Sequence, residues 1–250
     1  MKMRMMVVFI FLMLCAACSS NVVDASEPTH PMATLTPSST ATPLPSATPT
    51  VTPTGTPTLT PTATLPVSYY ITDMYHHKQE LPLDCEAAAA VDFARYFGVE
   101  INEYDFQYTL PVSDNPDLGF VGYSDSLWGQ VPPYDYGVHA GPIADHLNKY
   151  GMPAKAAKGF TIEQLKREIA AGRPVIVWVI GNVEGGVPFE YTDKQGNKVI
   201  VAAYEHVVTV IGYDAINIRY YNNKKMYEIP TKYFEQSWAV LGNMVVYRGE

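Results

Sequence analysis

Cys85 follows an aspartate and opens the run Cys-Glu-Ala-Ala-Ala-Ala-Val-Asp-Phe-Ala-Arg-Tyr, in which Ala87, Val91 and Ala94 fall on one helical face. A thiol is a nucleophile only as the thiolate, and its pKa falls at a helix N-terminus or beside an imidazolium. The pattern predicts a helix from Cys85 to about Phe97, capped by Asp84 and stopped at Gly98, with the sulfur at its positive end. A structural cysteine would sit mid-helix or mid-strand on an apolar stripe instead. Asp84 and Glu86 flank the sulfur, and their charges oppose thiolate formation unless they point away.

A thiol needs partners. Gln79 stands six residues upstream, where a side-chain amide and the nucleophile's backbone N–H could together stabilise an oxyanion. The base must come from one of six histidines. His30 lies in a Thr/Pro-rich stretch, and His76, His77 and His146 read as solvated side chains. His139 is the rival to His206, which opens the apolar strand His-Val-Val-Thr-Val-Ile-Gly-Tyr and so has a rigid support. Asn222, on the same alternating face as Ile218 and Tyr220, could accept the second imidazole N–H, although Asn222-Asn223 also reads as an ordinary turn pair.

The surrounding elements suit that task. Further helices are expected from Pro142 to before Gly151, after Thr161 with Gln164 completing a capping box, and from about Lys232 to Leu241. Strands are expected at 174–180, 198–202, 206–213, 216–221 and 243–248, with Gly181–Asn197 as a hairpin or mobile flap. Helices first and strands afterwards indicate an α+β domain with an antiparallel sheet.

The N-terminus combines Lys2 and Arg4 with a short apolar stretch, too short to span a bilayer and right for an export signal. Its exit, Ala16-Ala17-Cys18-Ser19-Ser20, resembles the lipobox of bacterial lipoproteins, with Cys15 where leucine is usual. The resemblance implies lipidation at Cys18, a membrane anchor and an extracytoplasmic location. The expected division is a signal peptide over 1–18, a disordered spacer over 19–66 and a folded domain over 67–250. Proline at every fourth position from Pro45 to Pro61 makes the spacer polyproline-like, able to hold the domain up to roughly 100 Å from its anchor. Cys85 is then the one free thiol of an exported chain. A net charge of −8 argues against nucleic acid as a partner, and a monomer is expected.

Several ordered motifs resemble the cysteine peptidase family 39-like domains, relatives of the bacteriocin-leader peptidases. They are Leu83-Asp84-Cys85-Glu86-Ala87-Ala88, Ser113-Asp114-Asn115-Pro116, Tyr136-Gly137-Val138, Gly172-Arg173-Pro174-Val175-Ile176-Val177-Trp178 and His206-Val207-Val208-Thr209-Val210-Ile211-Gly212-Tyr213-Asp214. The resemblance implies a papain-like fold, with a helical part carrying Cys85, a C-terminal antiparallel sheet carrying His206, and Gln79 at the oxyanion. It implies a thiol peptidase acting on peptides or proteins, with no metal or cofactor. The family usually has Asp-Pro where this chain has Asn222-Asn223, so the third role is carried by a residue without full charge. Two other functions fit the same residues: a non-catalytic peptide- or wall-binding module, and an amidase or acyltransferase.

Overall fold

The computed structural model describes residues 64–250. Expectations for the signal segment, for Cys18 and His30, and for most of the spacer lie outside the described residues. In chain order the elements are β1 (Tyr69–Tyr70), α1 (Cys85–Tyr96), α2 (Glu103–Tyr108), α3 (Ala140–Lys149), β2 (Ala154–Ala157), α4 (Ile162–Ala170), β3 (Val175–Ile180), β4 (Phe189–Thr192), β5 (Lys198–Val201), β6 (Glu205–Tyr213), β7 (Asn217–Asn222), β8 (Lys225–Pro230), α5 (Thr231–Ala239) and β9 (Val245–Arg248).

One antiparallel sheet runs β2-β9-β3-β6-β7-β8, with β1 added against β6. Its central strands β3 and β6 are buried along their whole length, which is why Val-Ile-Val-Trp-Val-Ile is apolar without alternation. Both faces of the sheet are covered. Ile176, Trp178, Ile180 and Val207 pack with α1 and α3, whereas Val175, Val177, Val179, Val208 and Val210 pack with α4 and α5. The register Trp178↔Val207 and Val179↔His206 fixes which β6 side chains go to which layer.

Thr161 and Gln164 form both halves of the expected capping box on α4. Asp84 occupies the N-cap position of α1 but makes no cap bond, because its Oδ2 accepts from the Leu81 N–H at 2.9 Å. The expected 198–202 strand pairs only with β4 in a separate hairpin, whose other arm lies inside the Gly181–Asn197 segment. Tyr213 and Tyr220 are core residues, while Tyr204, Tyr227 and Tyr233 are exposed.

Three histidines depart from expectation. His76 is buried, stacks on Tyr221 and meets Asp92 at 3.3 Å and Thr209 at the same distance. His77 bridges Asp92, at 2.8 Å, and Glu103, and these carboxylates push its pKa up to about 10. His146 is buried, with Nε2 3.0 Å from the Thr109 hydroxyl. Their polar sequence neighbours suggested solvent, but long-range packing closes over them.

Candidate active site

The loop before α1 is anchored by charge. His77 binds α1 through Asp92 and α2 through Glu103, whose other oxygen accepts the Glu80 N–H at 3.2 Å. This fixes Gln79 between the two helices and the end of β7, where its backbone N–H donates to Asn223 Oδ1 at 3.2 Å. The Gln79 amide donates to the carbonyls of Leu81 and Pro82 at 2.8 and 3.1 Å. One of these bonds must open before that amide can serve an oxyanion.

His206 sits at the second position of β6, with Nε2 2.8 Å from Asn222 Oδ1. Asn222 ends β7 on the face of Ile218 and Tyr220. Asn222 Nδ2 donates to Asn182 Oδ1 at 2.9 Å, so its Oδ1 is the atom facing the ring. An amide oxygen only accepts, which places the proton on Nε2 and leaves Nδ1 as the basic nitrogen. Asn182, in the segment after β3, went unnoticed in the sequence because an Asn after Gly181 reads as loop. Burial lowers the His206 pKa, with the Asn222 bond opposing, so the imidazole is neutral near neutrality.

Trp128 closes the other side of His206, edge-on with ring centroids 5.8 Å apart, and its Nε1 donates to the Glu205 carbonyl at 2.7 Å. A cleft of about 440 Å³ opens here, lined by Gln79, Leu81, Pro82, Trp128, His206 and Asn222 among others.

Cys85 begins α1 and is 8% exposed. Its thiol donates to Glu86 Oε2 at 3.2 Å, and among the described residues no hydrogen bond joins it to His206. Glu86 therefore points at the sulfur, contrary to what easy ionisation needs. Burial raises the thiol pKa well above its ordinary value, and Glu86 and Glu205 raise it further. The Val207 N–H, next in chain to His206, pulls the other way. The resting pair is a neutral thiol and a neutral imidazole. His139, the rival base, is fully buried with Nδ1 2.6 Å from Asp117 and Nε2 3.5 Å from the Tyr136 hydroxyl. Donor atoms of Cys85, Glu86 and Glu205 lie within 4.8 Å of one another. That is one group short of a closed four-ligand metal site, and one Glu86 oxygen is already bonded to the Val138 N–H at 2.7 Å.

Against known proteins, the model of the Peptidase_C39 like family matches residues 71–246. The chain belongs to that family. In this Peptidase_C39 like domain the matched span holds every element from α1 to β8 and α5, and with them Gln79, Cys85, His206 and Asn222. A crystal structure of a C39-like peptidase candidate from Bacillus anthracis is similar at a TM-score of 0.65 and 22% identity, covering 73% of this chain and 98% of that one. The peptidase domain of Streptococcus ComA, a bifunctional ABC transporter, gives 0.41 and 14% over 71% and 99% of the two chains. Xylellain, a cysteine protease from Xylella fastidiosa, gives 0.43 and 15% over 75% and 87%. No curated protein matches significantly. The domain has the mixed helix and antiparallel-sheet fold of this peptidase group, with Cys85 on a helix.

Proposed function

We propose that this Peptidase_C39 like domain is a cysteine peptidase in which Cys85 attacks a peptide carbonyl. His206 Nδ1 takes the thiol proton as the C–S bond forms, and the oxyanion is held by the Cys85 N–H and the Gln79 amide. His206 then passes the proton to the leaving amine, and water, deprotonated by the same nitrogen, releases the acid and restores the thiol. The observation that carries this is the 2.8 Å His206–Asn222 bond, which commits the ring to the tautomer a base requires. The substrate is a peptide or protein segment entering the cleft beside Trp128.

Peptide-library cleavage and labelling by a thiol-reactive activity probe, on the full chain and on Cys85→Ala, test the proposal. Cleavage and labelling both lost on substitution are expected. A folded parent that neither cleaves nor labels would refute it. The occupied Gln79 donors and the thiol held on Glu86 favour a second reading, a peptide-binding module without turnover. Peptide affinity unchanged in Cys85→Ala, with no cleavage by the parent, would establish that reading instead.

The chain's lipobox-like exit supports export and anchoring through Cys18. Metabolic labelling with a fatty-acid analogue should be lost in Cys18→Ala; label that persists would exclude this anchor.

A further inference from the structure

Beside the nucleophile lie two carboxyl groups that the chemistry above does not use. Glu86 and Glu205 are buried at 1% and 3% exposure, and they flank Gly137 so closely that a Cβ there would collide with Glu86 Oε1 and press on Glu205 Oε2. Glu86 Oε1 accepts the Val138 N–H, and Oε2 accepts the Cys85 thiol. Glu205 Oε1 is buried with no hydrogen-bond partner. The remaining titratable neighbours are Asp84 and Cys85 on α1, the Tyr136 hydroxyl from the 136–139 segment and His206 on β6. His139 in that segment is engaged with Asp117. Among the described residues the lysine and arginine ion pairs all lie elsewhere. Two adjacent buried carboxyls without a cation cannot both ionise. The Val138 N–H makes Glu86 the ionised member, and the unpartnered Glu205 keeps the proton.

We propose that Glu86 and Glu205 form a one-proton pair that restrains the nucleophile: ionised Glu86 holds Cys85 as a neutral thiol, so that once the pair has lost its second proton the thiolate fraction no longer grows with pH. Glu86 is thus a positioning residue acting through Cys85. This rests on Cys85 being the nucleophile of the proposed peptidase. In the resting site, before any attack in which His206 takes the proton, the sulfur ionises internally: its S–H bond breaks and an O–H bond forms on Glu86 Oε2, with the charge of the cluster unchanged. Thiol with carboxylate and thiolate with carboxylic acid carry the same number of protons, so their ratio is independent of pH. Burial raises both carboxyls, Glu86 to about 7.

The rate of Cys85 alkylation by iodoacetamide reads the thiolate without any peptide turnover. In the full-length protein it should climb about tenfold per pH unit to about pH 7 and then level off. In Glu86→Gln, whose amide oxygen keeps the Val138 bond and whose N–H₂ can face the sulfur, the climb should continue. That variant should react about tenfold faster than the parent at about pH 8, one unit past the break. A parent without the break, or a plateau surviving in Glu86→Gln, overturns the proposal. Should Glu86→Gln not fold, Glu205→Gln carries the test: its amide donates to ionised Glu86 and should move the break to lower pH, and an unmoved break refutes the pairing. A protein that cleaves no peptide but shows the break loses only the peptidase proposal; one that cleaves through Cys85 without the break loses only the restraint.

Discussion

Replacing Asn222 by aspartate puts a full charge where the structure has an amide oxygen, 2.8 Å from His206 Nε2. At an effective dielectric constant of 20, two unit charges at that separation attract by about 6 kcal/mol. Burying a new carboxylate at a 6% exposed position cancels much of this, leaving a rise of roughly 1–3 pKa units. The network accommodates the change: Asn223 Nδ2 still donates, and the Asn182 amide turns to present its own N–H₂. His206, lowered by burial in the parent, should then titrate at a higher pH than it does there. A lowered folded pKa costs the parent stability as pH falls below the unfolded value of about 6.5, so the variant should lose less stability than the parent on acidification through that range. Long-range ¹H–¹⁵N spectra of histidine-labelled protein follow both the titration and the tautomer. An unshifted His206, or a parent ring protonated on Nδ1, would refute the assignment of Nδ1 as the base.

Two more outcomes follow from the buried acids and the glycine between them. Asp84, raised to about 8 by burial and then by Glu103, joins Glu86, Glu205 and His77 in holding more protons folded than unfolded. The lowered histidines His76, His139, His146 and His206 act oppositely only below 6.5, so Tm should fall by at least about 5 °C between pH 6.5 and 9. Calorimetry showing a flat or rising Tm there would contradict this. Gly137→Ala, at φ +128° and against both carboxyls, should cost more than about 2 kcal/mol in urea unfolding; a loss under about 0.5 kcal/mol would mean the segment relaxes freely.

The elements that carry Cys85, His206 and Asn222 were legible because they are locally consistent: an alanine-rich helix stopped by glycine and β-branched runs of strand length. Other elements were not. Ala-Lys-Ala-Ala has helical propensity and becomes β2 only because β9 offers it an edge. Largely exposed β8, without a clean polar–apolar alternation, is held by its register on β7, and α2 is a short helix of about a turn and a half. For the site, the residue types were readable but their bonds were not. Glu86 was visible as an unwelcome charge, yet its turn toward the thiol depends on Val138, some fifty positions away. The same holds for His77, whose two acids come from different helices.

Neighbouring residues of β6 divide the chemistry by side: Glu205 lies with Glu86 and Cys85 among the buried acids, while His206 meets Asn222 and Trp128 at the cleft. Deleting or inserting a single codon between this dipeptide and the strand centre would exchange the two, setting imidazole among the buried acids and carboxylate in the open cleft. The β3–β6 segment therefore admits change by substitution or by paired steps, and a lone frame-preserving indel would invert the centre rather than weaken it.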